Sequence, residues 1–491
     1  MPLAKNQFPT SQDLVRIRDE SKFDLLYECE VYDTDEKKGV FRLKEFFSND
    51  RDKKEILSIA LNLPNLIINA GTDFLFGEEP SIRVSLENES ETKRLQDEVD
   101  RIIEENDLNT TLEQSSISLQ KEGHTQFNVR MEEDRAVIEE IPFDMWLPEF
   151  SGVPFGGKPK IIRMASYINV AKEGNVPDRY IYVQQHVVGS IMHSLWTSFE
   201  KKIQEPVPFS RVPGLAAQLG FPEQESQTEI IEETEILELP CFQIDVRKTV
   251  RQRMGKSILV PIMPLIEEIN DRITQISLQL LKTLDPTLQV PESAVTQDKK
   301  GRVKRKSLDV LIMAEGMPDA KYVTNDNPLI EQAFKHIEMM IEKCADLTAT
   351  PRGFLMPDDK GGVETAESLK TRFMAFLKRI KRYQKTYNVA IPRMIKTALT
   401  LNGVDFPEDM EIVVEYDEGL PRDKLVDSQY YAESVTAGLM SRKTAVGALQ
   451  GLEGDALDEE IKEIEADEKR APRIAMGFSS NAPDPNANEG E

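Results

Sequence analysis

Gly255-Lys256-Ser257 is the triplet that closes a phosphate-binding loop. In such a loop a glycine-rich turn wraps backbone N–H groups around a nucleotide's phosphates and the lysine reaches the outer ones. The loop also needs a glycine five residues before Gly255. That position is Val250, and Arg251, Gln252, Arg253 and Met254 fill the gap. Side chains of that size keep a turn's backbone away from a pyrophosphate, so the triplet reads as entry into the helical pattern that follows.

Other reactive constellations fail in the same way. The four histidines, His124, His186, His193 and His336, lack metal-ligand spacing, and His186 and His193 read as structural or surface residues in a β-like run. Asp33 and Asp35 open a segment like a calcium loop, but the glycine arrives one place late at Gly39 and Lys44 stands where a bidentate glutamate belongs. Cys29, Cys241 and Cys344 are isolated, which fits a reducing compartment and excludes a disulfide framework. Carboxylates are plentiful, yet none forms an evident acid–base pair. The expectation is a protein that is not an enzyme, with no catalytic, cofactor-binding or metal-ligating residues.

The elements carry more information. Residues 11–29, 51–70 and 90–121 read as helices, the last with Leu95, Val99, Ile102 and Ile103 on one face. Residues 62–84 read as a helix end, a turn at Gly71 and Gly77 to Pro80, then a strand. From 125 to 248 the chain is β-rich, and the acidic run Glu229 to Glu238 reads as a solvated strand.

Three long helical segments follow. Ile262, Ile266, Ile269, Ile273, Ile276 and Leu280 recur with gaps of 4, 3, 4, 3 and 4. Ile330, Phe334, Ile337, Ile341 and Cys344 repeat that heptad spacing, a narrow apolar seam in each case. The third segment, about 365–401, keeps a seam from Leu369 to Ala398 and contains Pro392, which should kink it. Residues 286–327, between the first two rods, are not helical. They hold a basic hairpin-like element with Lys299, Lys300, Arg302, Lys304, Arg305 and Lys306. Between the second and third rods lies "TPRGFLMPDDKGGVE"; then come a strand near 410–418, short helices near 422–438, 442–450 and 457–470, and a tail of disordered composition at 471–491.

The bulk numbers set limits. A length of 491 residues allows two to four domains, and a net charge of −25 disfavours tight, non-specific adhesion to DNA or anionic membrane. No window reaches the length of an apolar span, and "MPLAKNQFPTSQD" lacks the apolar core of a secretory leader.

Four stretches, in this order, resemble the portal proteins of tailed bacteriophages. "NLIINAGTDFLFGEEPSIRV" resembles that family's N-terminal wing segment. "GKSILVPIMPLIEEINDRITQISLQLLKTLDP" resembles its first stem helix. "GGVETAESLKTRFMAFLKRIKRYQKTY" resembles the start of its long helix, and "AGLMSRKTAVGALQGLEGDALDEEIKEIEADEKR" its crown.

The resemblance implies an α+β portal fold assembled as a ring, usually of twelve subunits. It divides the chain into a wing (1–257), a first stem helix (258–285), a clip (286–327), a second stem helix (328–348), a tunnel loop (349–364), a long kinked wing helix with its following strand (365–421) and an α-helical crown (422–470). The implied work is a head-to-tail connector at the unique capsid vertex of the virion, made in the host cytoplasm. Viral DNA is packaged and ejected through it. Implied partners are the terminase large subunit, a neck or tail adaptor, the major capsid protein, the scaffold and double-stranded DNA in transit, with no membrane and no cofactor.

The tunnel loop would offer Arg352, Gly353, Phe354, Leu355, Met356, Asp358, Asp359, Lys360, Gly361 and Gly362 to the channel. The clip cations would meet a partner or DNA, and the isoleucine seams would pack the stem. Two other classes stay open from the residues themselves: a self-associating coiled-coil scaffold, and a DNA-acting enzyme whose site no motif betrays.

Overall fold

The computed structural model describes residues 11–29, 59–132, 135–150, 159–172, 175–197, 205–234, 238–249, 254–283, 287–289, 296–297, 303–304, 321–323, 328–356, 366–416, 424–450 and 454–470. The order is α1 (Ser11–Tyr27), α2 (Leu63–Phe76), β1 (Ser81–Ser85), α3 (Glu89–Glu105), α4 (Leu108–Glu122), β2 (His124–Glu132), β3 (Arg135–Glu140), β4 (Trp146–Phe150), β5 (Pro159–Lys172), β6 (Asn175–Val187), β7 (Ser190–Thr197), β8 (Pro206–Val207), α5 (Leu215–Gln218), β9 (Glu229–Glu233) and β10 (Cys241–Asp245). Then come α6 (Met263–Thr283), β11 (Thr287–Gln289), β12 (Thr296–Gln297), β13 (Val303–Lys304), β14 (Lys321–Val323), α7 (Pro328–Thr348), α8 (Ala366–Leu401), β15 (Glu411–Glu415), α9 (Lys424–Thr436), α10 (Arg442–Gln450) and α11 (Gly454–Arg470). This is an α+β fold.

Two expectations near the N-terminus need correction. Leu63 begins a helix where the sequence suggested one ending. The Asn62 side chain accepts the Asn65 N–H, Pro64 occupies the first turn, and the helix runs on through Gly71. Gly71 is a packing residue and not a turn: a Cβ there would lie 2.0 Å from Gln120 Oε1 of α4. Residues 51–58 lie outside the described residues. The single helix expected over 90–121 is two, α3 and α4, broken where Asp107 takes a left-handed φ of 44°.

The chain forms two compact units, Met1–Gly362 with Arg372–Gly419, and Val363–Thr371 with Leu420–Glu491. In the larger unit, β4-β5-β6-β7-β8 form an antiparallel sheet with β9 also on β7, and β10-β2-β3 form a second sheet. Ile230 of β9 is fully buried while Ile231 faces out, so the Glu229–Glu233 part of the acidic run is a strand with one solvated face, and residues 235–237 lie outside the described residues. β1 pairs with β15 across most of the chain's length. One core gathers α2, α3, α4, the β10-β2-β3 sheet, α8 and that strand pair. A second gathers α1, α2, α6 and α7. The smaller unit contains α9, α10 and α11, with α10 packed on both others and Lys443 paired with Asp458.

His124, His186 and His193 are all buried. His124 joins a polar cluster that pins α1 to the β2 sheet. Its Nε2 lies 3.1 Å from Glu20 Oε1 and its Nδ1 lies 2.9 Å from Gln126 Oε1. Gln126 donates its Nε2 to the Ile141 carbonyl, so both imidazole nitrogens face acceptors, an arrangement that favours the protonated ring. Burial alone lowers the His124 pKa, but the Glu20 hydrogen bond and charge outweigh it and the net shift is upward. Burial pushes neighbouring Glu122 up to about 8.

Both shifts have the same consequence. A raised folded pKa means that stability present at acid pH is lost as pH rises, from about 4.5 to about 8 for Glu122 and from about 6.5 upward for His124. Glu122→Gln should flatten the stability curve between pH 5 and 8. It should recover about 2–5 kcal/mol at the alkaline end, read by chemical denaturation at several pH values.

Candidate functional site

The expected helix pair exists as α6 and α7, packed against each other. Proline is tolerated in the first turn of α6, where Pro264 has no intrahelical N–H bond to lose. Ile262, Ile266 and Ile269 are fully buried, as is Cys344. Ile276, Ile337 and Ile341 are buried with them, and Ile273 and Ile330 pack at the edge of the same core. Two seam positions are nonetheless exposed: Leu280 near the end of α6 (41%) and Phe334 (47%), which lies between the packed Ile330 and Ile337. Two polar residues interrupt it for a reason that periodicity did not reveal. Asn270 Oδ1 accepts the Leu61 N–H at 2.8 Å and Thr274 Oγ1 accepts the Ile59 N–H at 3.0 Å, so α6 holds the segment that leads into α2.

The outer faces of the pair carry mixed charge, largely cancelled at short range. Arg272 meets Glu268 at 2.7 Å, Lys335 meets Glu331 at 2.7 Å, and Lys343 meets Asp346 at 3.1 Å. Exposed pairs of this kind add little stability, but they leave few uncommitted cations for a polyanion.

After α7 the chain turns at Ala349, whose φ is 54°. Arg352–Phe354 then form a short 3-10 turn. Arg352 reaches back to Glu342 at 3.0 Å. Phe354 enters an aromatic cluster with Phe74, Phe373 and Phe376, with ring centres 5.7–5.9 Å away. Leu355 and Met356 pack on the α6–α7 core. The first part of the expected loop is therefore tied down by its apolar side chains, and a Cβ on Gly353 would meet nothing within 4 Å. Asp358, Asp359, Lys360, Gly361 and Gly362 lie outside the described residues, as do Lys299, Lys300, Arg302, Arg305 and Lys306. Lys304 belongs to β13, which pairs antiparallel with β12, and β11 pairs with β14. Pro392 sits inside α8, which continues to Leu401.

The Gly255-Lys256-Ser257 triplet lies six residues before α6 and serves a backbone crossing. A Cβ on Gly255 would lie 1.8 Å from the Gly123 carbonyl oxygen. The Lys256 N–H donates to the Val246 carbonyl at 3.1 Å, and Ser257 Oγ accepts the Leu259 N–H at 3.0 Å. Lys256 itself is exposed. The expectation of helix entry thus holds only for the serine turn; the glycine's role is contact with α4's C-terminal glycine.

The profile of the family described as "Phage portal protein, SPP1 Gp6-like" matches residues 185–473, more than half of the chain. The chain belongs to this phage portal family. The matched span runs from the end of β6 through α11, so both rods, α8, α9, α10 and α11 lie within the portal match. A solved structure described as "Neck of empty GTA particle computed with C6 symmetry" is similar at 13% identity and a TM-score of 0.42, covering 79% of this chain and 88% of that chain. No curated protein matches. Among the described residues, no helix of this portal-family chain is long and apolar enough to cross a membrane, and no group of His, Cys, Asp and Glu is placed to hold a metal.

One residue of this portal-family chain stands apart from the sequence reading. Arg379 of α8, which the sequence analysis did not single out, is buried. The signal was present: it lies three residues after Phe376 and four before Tyr383, both on the buried seam.

Proposed function

We propose that this chain is the subunit of a portal ring at the capsid vertex, through which double-stranded DNA is packaged and ejected. In this reading α6 and α7 are the stem, residues 286–327 the clip that docks terminase and later a neck or tail adaptor, and residues 422–470 the crown. Residues 1–257 are mostly wing, and 349–364 form the tunnel loop. The observation that carries the reading is the α6–α7 pair, packed within its own subunit along most of its seam yet leaving Leu280 and Phe334 of that seam apolar and exposed. Large exposed apolar side chains on two packed rods suit coverage by the next copy in a ring.

The charge pattern supports a conduit. Neutralising about 6–10 phosphates makes affinity swing by ~10³–10⁵ between low and moderate salt, which would hold DNA in place. Among the described residues, the rods' Arg272, Lys335 and Lys343 already face carboxylates and offer no such well. Native mass spectrometry of the full chain should show one closed species near twelve copies; monomer or dimer under all conditions would contradict the reading.

A further inference from the structure

Arg379 projects from α8 with 6% of its surface exposed. Its guanidinium carbon lies 4.8 Å from the centre of the Phe376 ring. Nη1 donates to the Thr348 carbonyl and, at 3.2 Å, to Thr350 Oγ1, which ties the end of α7 to α8. Nε and Nη2 are buried and have no hydrogen-bond partner among the described residues. Those two N–H groups form the side edge of the guanidinium fork, the edge whose spacing matches two oxygens of one carboxylate or phosphate.

Arg379 lines a cavity of about 290 Å³ together with Asp245, Arg247, Thr348, Arg382 and Tyr383. Asp245 is the carboxylate on this wall and is already engaged. Its Oδ1 accepts from the Gly255 N–H at 2.9 Å and from Gln243 Nε2 at 2.8 Å, and its Oδ2 faces Lys248 Nζ at 3.0 Å. Three guanidinium groups therefore share a wall with one carboxylate committed elsewhere. Burial, with the nearby Arg247 charge adding to it, pulls the Arg379 pKa down to about 10, so the group is still a cation at neutral pH. A buried cation with an unused bidentate edge is strongly unfavourable in a low-dielectric setting, and a small anion relieves that cost.

We propose that this cavity binds a phosphate-type oxyanion, with Arg379 Nε and Nη2 as its bidentate seat and Arg247 and Arg382 balancing its charge. The bound anion links α8 to the segment after β10 and, through Nη1, to the end of α7, so occupancy stiffens the joint between the second rod and the long helix. The site does not depend on the chain being a DNA channel. The phosphate group is either free in solution or carried by a nucleic-acid backbone.

The test uses the full chain at fixed ionic strength, with potassium chloride replaced stepwise by potassium phosphate. The expected result is a saturable rise in unfolding temperature and saturable broadening of the phosphate ³¹P signal. Arg382→Ala, at an exposed position, should weaken the apparent affinity at least about tenfold, the equivalent of one charge-assisted hydrogen bond. Arg379→Met should abolish the response; if that variant does not fold, Arg382→Ala and Arg382→Glu carry the test. A short DNA duplex that displaces the bound phosphate assigns the site to backbone phosphates, and no displacement assigns it to the free ion. Equal response to chloride and phosphate in the wild type, or a phosphate response unchanged in the Arg382 variants, overturns the proposal.

Discussion

Gly255→Ala should destabilise the larger unit by more than about 4 kcal/mol and prevent recovery of soluble native protein, while Lys256→Ala should change stability by less than about 0.5 kcal/mol. The asymmetry follows from the crossing at Gly123. A Cβ on Gly255 would stand 1.8 Å from the Gly123 carbonyl oxygen and 2.5 Å from that of Val246. These are backbone atoms, so no rotamer change makes room. Gly123 is no more tolerant: its φ is 92°, and its own Cβ would lie 2.2 Å from the Lys256 carbonyl carbon. The surrounding bonds, Val246 N–H to Gly123 O at 2.9 Å and Ile258 N–H to Gln120 O at 3.0 Å, lock the strands at that distance. A nucleotide site makes the opposite prediction, with Lys256 essential for ligand binding. Urea denaturation of both variants, with a nucleotide-binding titration of the wild type, decides between the two.

The second large effect separates folding from assembly. Ile269→Asp should abolish folding around α6, whereas Phe334→Asp should leave the folded subunit intact and remove the ring. Ile269 is fully buried among α1, α2, α6 and α7. Losing its burial costs roughly 1.5–3 kcal/mol, and an unpaired buried carboxylate adds several more. The sum approaches the ~5–15 kcal/mol that a typical domain possesses in total. Phe334 is 47% exposed in the subunit, so a carboxylate there is hydrated and costs the monomer little. In a ring whose neighbouring copy covers that position, the same carboxylate is desolvated against an apolar surface. Circular dichroism should therefore show a native Phe334→Asp subunit, and native mass spectrometry should show it as a monomer. A full ring from Phe334→Asp would remove this residue from the interface.

The long helices were legible because a heptad seam keeps one period over many turns, and capping prolines mark where rods begin. Leu280 and Phe334 obey that period yet lie exposed, since spacing assigns a residue to a face and not to a partner. Local punctuation misled at Gly71, where glycine answers to Gln120 on another helix and not to a turn. It was missing at Asp107, where the chain reverses without glycine or proline. The pairing of β1 with β15 has no local trace at all, because neither strand carries a mark of the other. Arg379 shows the remaining gap. Within "KRIKRYQK" the cations are of one type, and the buried one is marked only by its spacing from Phe376 and Tyr383 on the seam. The aromatic cluster of Phe74, Phe354, Phe373 and Phe376 likewise assembles from three separate segments.

The central claim is that two packed rods from each of several copies form a collar around an open bore. A cryo-electron-microscopy reconstruction of the purified full chain measures this directly. The portal reading predicts a closed ring in which α6 and α7 of every copy stand side by side around a channel wide enough for a double helix, with Phe334 covered by the neighbour. A closed globular particle with both rods in its interior and no channel would contradict it.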